Sequence, residues 1–418
     1  MTQLMVPPRR ASPIERTRAA DDRFAESVHA KHDPLSLEPA PGANEMLSAT
    51  ADPLQYRFGK KRGRDAEGPS RDHHVGGQRG FGNRRRRIVF SGDVHRYVSI
   101  YLQPDSASLS RTDGTGGFGR FKDAYADVYF NHAQTFRICV GQSPVPYGWE
   151  TLQAGENRLA LDRVDALDTA ARDGRDIGLF FYYVPAEIRA RFAYLVASGL
   201  GGSGDFGVVG FGVYNGQGAN RMAPVGSRHV AARITYPFLL PNGQYIEIGA
   251  GAYSGRFVTD RGRKLRIGRE RVAPVDGFFA QRNNDQRLAI HVVYYPQPFG
   301  VEVEWTTGYG PELAADTGRI TRRRLHGGYL QLMYRLKGHT PGVVIPYVKW
   351  QRYRGASKFK TNNPAMRVDE IEIGARWQPY KSIEITAAYS RMQRMNARTG
   401  PYSFINGQFL RLQVQASY

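Results

Sequence analysis

The sequence predicts an all-β chain folded as a transmembrane antiparallel β-barrel. Three observations lead there: short segments that alternate apolar and polar residues, aromatic residues gathered near segment ends, and connections that alternate between long and tight.

The last segment shows the alternation most clearly. Leu410, Leu412, Val414, Ala416 and Tyr418 form an apolar face, and Arg411, Gln413, Gln415 and Ser417 a polar one. The same split holds for Ile383, Ile385, Ala387 and Tyr389 against Glu384, Thr386, Ala388 and Ser390. It recurs in Ile371, Ile373, Ala375 and Trp377 against Glu372 and Arg376, and in Val301, Val303 and Trp305 against Glu302 and Glu304. A soluble sandwich also buries one face, so alternation alone does not decide. Tyr389, Trp377, Trp305, Tyr294, Tyr236, Tyr214 and Phe130 stand near segment ends, as in the girdles of a membrane barrel.

The connections decide more. Strands are expected at 408–418, 382–394, 367–377, 343–355, 325–337, 299–307, 286–296, 244–257, 228–240 and 205–214. They continue backwards at 176–184, 134–142, 123–130, 97–103 and 85–90. Long links at 395–407, 356–366, 308–324, 258–285 and 215–227 alternate with tight turns such as Pro296-Gln297-Pro298 and Pro241-Asn242-Gly243. Long loops on one side and short turns on the other are the asymmetry of a membrane barrel. Residues 185–204 interrupt the pattern. Ile188, Phe192, Leu195 and Val196 share one helical face, and Gly199 and Gly201 can end a helix. This stretch is expected to be a short helical insert on the tight-turn side. An even strand number then requires one more strand, for which 52–59, with Tyr56 and Phe58, is the weak candidate.

Three regions follow. Residues 1–50, rich in Pro, Ala and charge, are expected to be disordered or foreign to the domain. Residues 51–84 hold the weak first strand and a Gly-, Arg- and His-rich loop. Residues 85–418 form the barrel. Met1 to Arg18 contains no apolar core of an export signal, so a cytosolic reading stays open.

Composition narrows the function classes. The 418-residue chain has a net charge of +20 and one cysteine, Cys139. Neither a disulfide framework nor a CxxC metal cluster can be drawn, and no cofactor is expected. Cys139 is read as a packed wall residue. No apolar run is long enough for a transmembrane helix. The basic excess favours anionic partners: nucleic acid, a membrane surface or anionic solutes. The pairs His73-His74 and His29/His32 are read as solvated tract. The Gly-rich 114–119 precedes no helix, so it is not a phosphate-cradling loop. The cluster Arg322-Arg323-Arg324 is expected to face extracellular water or anionic lipopolysaccharide.

The block Arg85 to Pro185 carries a resemblance. It holds an Arg-rich first hairpin, Asp123-Ala124-Tyr125-Ala126-Asp127, and Val140-Gly141-Gln142 running into Pro146, Gly148 and Glu150. Asp162-Arg163 and Arg175-Asp176-Ile177-Gly178 follow, and later Gly212 to Asn220. In this order the pieces resemble the phosphate-selective porin O and P family over roughly residues 84–418. The resemblance implies a sixteen-stranded barrel in the bacterial outer membrane, a homotrimer, and an arginine-lined pore for anions. It also implies that the third long extracellular loop folds inward as a constriction. By spacing this is 143–175, also the longest connection. Outer-membrane barrels commonly end in an aromatic residue, and Tyr418 is read that way.

A solute pore needs no catalytic pair. It needs a ring of charge weak enough to release what it attracts. Strand parity points Arg137, Arg233, Arg287, Arg376 and Arg411 at the lumen, and Arg158, Arg163, Arg172 and Arg175 lie in the loop. Arg suits phosphate-like solutes because its planar fork donates two parallel hydrogen bonds. The plainer reading of each is a wall residue paired with an acid, and Asp127, Glu247, Glu302, Glu304, Glu372 and Glu384 are available on the lumen side. The loop itself, with Glu150, Glu156, Asp162, Asp165, Asp168, Asp173 and, at its edge, Asp176 against four Arg and no Lys, is net acidic. That departs from strong phosphate selection.

The expected function is passive diffusion of small solutes, with a preference for anions such as phosphate, and contact with outer-membrane lipid. Two other readings remain at this stage. An enzymatic or adhesive barrel would need paired Asp and His at the extracellular rim, whereas His132, His229, His291, His326 and His339 are scattered. A soluble nucleic-acid-binding protein would need aromatics interleaved with bases on one face. Here they lie opposite the charges, so no nucleic-acid partner is expected.

Overall fold

A computed structural model describes residues 47–58, 81–83, 87–105, 120–222, 226–259, 265–267, 270–272, 282–314, 319–338, 341–360, 362–396 and 403–417. The expectations for residues 1–46, for the His pairs and for 114–119 lie outside these.

Sixteen strands make up the wall: β1 (Leu47–Phe58), β2 (Arg87–His95), β3 (Val98–Pro104), β4 (Phe121–Tyr129), β5 (Phe136–Pro144), β6 (Arg175–Tyr183), β7 (Val209–Tyr214) and β8 (His229–Leu239). They continue with β9 (Tyr245–Val258), β10 (Arg282–Tyr294), β11 (Phe299–Leu313), β12 (Ile320–Tyr334), β13 (Val343–Ala356), β14 (Ala365–Tyr380), β15 (Ile383–Asn396) and β16 (Ser403–Ser417). Every strand pairs antiparallel with its sequence neighbours. β1 pairs with β2 on one side (Ala49↔Ile88) and with β16 on the other (Tyr56↔Leu412), so the ladder returns upon itself. Among the described residues each wall strand thus has a partner on both sides through the middle of the wall, a requirement for backbone crossing hydrocarbon. The first strand begins at Leu47, inside the segment expected to lie outside the barrel.

Burial along each strand is inverted relative to a soluble protein. On β10, Asp285, Arg287, Ala289, His291 and Val293 point inward and are buried, while Leu288, Ile290 and Val292 are exposed. On β15, Glu384, Thr386, Ala388, Ser390 and Met392 point inward and Tyr389 points out. Leu330, Leu332, Val348, Ile371, Ile373, Leu410 and Leu412 extend the exposed apolar surface around the wall. A continuous belt of this kind fits lipid as its solvent. Exposed aromatics rim it near the tight turns (Phe130, Phe136, Phe299, Tyr334, Tyr380) and near the long loops (Phe121, Tyr309, Phe404).

The insert after β6 is helical as expected: α3 (Ala186–Ala197) buries Ile188, Phe192 and Leu195. Gly199 follows it at φ +67°, the left-handed position that ends a helix at low cost. The two earlier helices, α1 (Trp149–Leu152) and α2 (Asp165–Asp168), lie between β5 and β6.

Three expectations are corrected. The link expected at 308–324 is mostly ladder, paired up to Leu313↔Ile320, and only 314–319 connects β11 to β12. Gly308, Gly310 and Pro311 look like loop residues, but a Cβ on Gly308 would lie 2.0 Å from the Gln286 carbonyl oxygen, so glycine here serves close strand approach. The links at 356–366 and 395–407 shorten likewise to 357–364 and 397–402. Tyr214 does not belong to a girdle. It shares inward parity with Gly210 and Gly212 and stacks on Phe180 inside the barrel.

Candidate functional site

The connection from β5 to β6, residues 145–174, enters the barrel and packs on the inner wall. Its neck is closed by the Val145 N–H donating to the Gly174 carbonyl at 3.0 Å. Val145, Tyr147, Trp149, Leu152, Val164, Ala166 and Leu167 are fully buried, most of them packed with inward wall residues such as Phe180, Tyr253 and Tyr329, and Trp149 with Leu195, Tyr245 and Tyr295. Gly148, at φ +76°, turns the chain so that the Trp149 and Glu150 N–H groups both donate to the Glu304 carboxylate, at 2.7 and 3.0 Å. The orphan donors at the start of α1 are thus satisfied by a wall acid rather than by a cap in the loop.

The wall on the β9–β16 side grips the loop. Arg287 donates to the Ala166 carbonyl and to Thr169 at 2.9–3.0 Å. Lys349 meets Glu150 at 2.5 Å, Arg394 meets Asp165 at 2.7 Å, and Arg411 pairs with Asp162. Arg376 donates to the Glu156 carbonyl at 3.2 Å. Three of the loop's acids, Glu150, Asp162 and Asp165, are therefore answered by inward bases of the wall. Lys358, from the β13–β14 connection, donates to the Ala170 carbonyl at 2.6 Å and meets Asp285 at 2.5 Å, ringed by Tyr253, Phe257 and Phe359. Burial pushes the Lys358 amine down to about 8, against the pull of Asp285 and with the nearby Arg287 charge adding to it. Burial also raises the Tyr147 phenol, which is held to Thr306 at 2.5 Å.

The five wall arginines all point inward, in different settings. Arg233 is held to Glu247 at 3.3 Å and Arg287 to the loop, each with a side chain only 1% exposed. Arg411 bridges Asp162 and Glu372 and is equally enclosed. Arg376 lies 3.7 Å from Glu384. Arg137, on the opposite wall, keeps 12% exposure between Asp127 and Asp205 and lies over the Tyr182 ring.

Arg175, expected in the loop, is the first residue of β6 and forms a two-pronged pair with Asp123 at 3.0 and 3.2 Å. Arg172 is half-buried beside Gly218, and Arg158 is buried. Arg163 contacts carbonyls, those of Asp173 and Thr151, rather than carboxylates. Its buried Nε has no hydrogen-bond partner among the described residues. Arg163 lies within electrostatic reach of Arg158 and Arg175, and Lys122 within reach of Arg175, Arg87 and Arg163. Arg87, Lys122 and Arg175 stand at the starts of β2, β4 and β6, and Arg163 lies within reach of the last two from the loop, while Arg158 is also within electrostatic reach of Tyr329 on β12.

Motif pieces distant in sequence also meet. The Asp176 carboxylate accepts from the Gly218 N–H at 2.8 Å, and Gln142 accepts from Asn220 N–H at 2.6 Å. They latch the β7–β8 connection onto β5 and β6. His229 and His291, scattered in sequence, each come within 3.8 Å of an acid, Asp285 and Glu247, but both pairs are sealed from water. Lys349, Arg394 and Lys358 were not among the sequence candidates. Strand parity could have found the first two. Lys358 lies in a connection without period.

Comparison with known proteins agrees with this architecture. The family model for phosphate-selective porin O and P matches residues 64–418. No curated protein sequence matches the chain. Among solved structures, OmpF of Salmonella typhi in complex with daunomycin is similar at TM-score 0.52 and 11% identity. The outer membrane channel DcaP of Acinetobacter baumannii is similar at TM-score 0.52 and 13% identity. The outer membrane protein OmpT of Vibrio cholerae is similar at TM-score 0.51 and 7% identity. Each comparison covers 89% of this chain and 96% of the other. At these identities the likeness is one of fold.

Proposed function

Given that the chain belongs to the phosphate-selective porin O and P family and is an outer-membrane porin, we propose that small anions, phosphate among them, pass between the inward loop and the β2–β6 wall. The single observation behind this is Arg163. Its guanidinium is oriented by carbonyl oxygens, with Asp168 and Glu150 within electrostatic reach but no carboxylate hydrogen-bonded to it among the described residues, and one N–H is left to donate. An anion arriving past Arg87 and Lys122 meets that charge, and Arg158 lies beyond it. The anchored face of the loop contributes little field, because its acids are paired with wall bases. A preference of this kind is modest. Asp123 and Asp105 pair with Arg175 and Arg87 near the same route, so anions are attracted without being trapped.

The protein is proposed to be a passive pore and not an enzyme, since the His–acid pairs are closed to any substrate. It is further proposed to assemble as a homotrimer, the expectation drawn from its family resemblance. Planar-bilayer recording tests the pore. Under a KCl gradient the reversal potential should show anion preference, and millimolar phosphate should reduce the chloride current. A cation-selective or non-conducting refolded barrel would sink the reading. Light scattering on the detergent-solubilised protein tests the trimer.

A further inference from the structure

The wall divides near its extracellular edge. The ladder between β12 and β13 runs from Met333↔Tyr347 to His326↔Arg354 and ends there. On either side the hairpins continue, β11–β12 to Leu313↔Ile320 and β13–β14 to Ala356↔Ala365. Between the two hairpin tips lies a cleft of about 600 Å³, lined by Glu312, Arg323, Arg324, His326, Arg354 and Arg367. Four arginines thus face one acid.

The arginines are also stacked unfavourably. Arg354 stands directly opposite Arg367 on one side and His326 on the other. Like charges directly opposite across strands repel, and all three arginines Arg324, Arg354 and Arg367 are exposed. A doubly charged anion between them would relieve that repulsion with charge-assisted hydrogen bonds.

The direction of the cleft identifies the source of the anion. Arg324, Arg354 and Arg367 share outward parity with Leu330, Leu332, Val348, Ile371 and Ile373, the exposed apolar belt. Below them on the same face Trp305 stacks on Trp350 at 6.3 Å, and at the level of Arg324 itself Arg322 lies over the Tyr309 ring at 4.3 Å. Aromatics at this height mark the level of lipid headgroups. We propose that the inter-hairpin cleft binds a phosphate group on the headgroup of an outer-leaflet lipid.

Native mass spectrometry of the refolded full chain tests this, with diphosphorylated lipid A and its dephosphorylated form as probes. The wild type should retain the phosphorylated lipid, and R354S/R367S should reduce that adduct about tenfold, the loss expected from removing charge-assisted contacts of about 1.4 kcal/mol in all. R367Q alone, a milder change, should lower it in the same direction. Equal adducts in wild type and both variants, or equal retention of the dephosphorylated lipid, would overturn the site. Failure to retain lipid, with inorganic phosphate binding in an R354S/R367S-sensitive way, would assign the cleft to a free anion and overturn the lipid assignment. Bilayer conductance of the same variants separates this from the pore. Lost lipid retention with unchanged anion preference leaves the permeation reading standing.

Discussion

Arg394 holds Asp165 through two parallel hydrogen bonds, of 3.1 and 2.7 Å, which fasten the second helix of the inward loop to β15. Asp165 is 1% exposed, so its charge must be met within the protein, and Arg394 also reaches Glu370 at 3.3 Å. Removing one partner of a buried pair leaves the other charge uncompensated, at a cost of about 3–5 kcal/mol. Arg394→Ala should therefore lower the urea midpoint in detergent and raise both conductance and current noise as the loop loosens. The exchange D165R/R394D should recover part of the loss. An R394A channel with wild-type conductance and stability would show that the other anchors suffice.

Gly148 gives a second test, of backbone rather than charge. A Cβ at this position would approach the Glu304 carboxylate to 2.9 Å, and the residue sits at φ +76°. Gly148→Ala should cost about 1–3 kcal/mol from left-handed strain and displacement of the acid. Because Glu304 caps Trp149, indole emission should shift to the red as water reaches it. Unchanged emission would mean that Glu304 moves without releasing the loop.

These two contacts mark where the sequence was legible. Period-2 alternation found most of the strands, their inward faces and wall acids such as Glu247 and Glu372, since parity in a barrel is a geometric necessity, but it missed the paired acids Asp285 and Glu370. It placed Arg411, Arg376 and Glu372 correctly on the lumen side. Parity says nothing about what covers a lumen residue, and the loop is held mainly by β9–β16 while also packing on residues of β5 to β7. Arg233 and Arg287 consequently lie sealed while Arg137 does not, a distinction that needs long-range contacts. The loop's acidity read as a departure from anion selection because its wall partners, Lys349 and Arg394, are about two hundred residues away in sequence.

Lys358 predicts a pH dependence. Its folded value of about 8 lies below the ordinary lysine value of about 10.4. The unfolded chain then binds more protons than the folded one between those values, so stability rises with pH across that window. The penalty is fully present below about pH 8 and disappears as pH approaches 10.4. Lys358→Met has no such titration. The stability of wild type relative to this variant should rise by about 3 kcal/mol between pH 7 and 10.5. Urea unfolding followed by tryptophan fluorescence measures it, and a flat difference would mean that the amine keeps its ordinary value.

Selectivity and stability should separate between arginines that parity treats alike. Arg163→Glu reverses a charge whose hydrogen-bond contacts are carbonyls, so it should lower the chloride-to-potassium permeability ratio several-fold, with a smaller fall in unfolding midpoint from repulsion by Asp168 and Glu150. Arg137→Glu should act in the same direction, since Arg137 retains exposure, but with some loss of stability from repulsion by Asp127 and Asp205. Arg233→Gln and Arg287→Gln should do the reverse. Each removes a buried charge from Glu247 or from the loop backbone, so the midpoint should fall while the reversal potential of the surviving channels stays near wild type. The comparison is internal, because all four positions are read in the same bilayer and the same denaturant series. If Arg233→Gln shifts the reversal potential as far as Arg163→Glu does, ions pass behind the loop, and the route must be redrawn along β8 and β9.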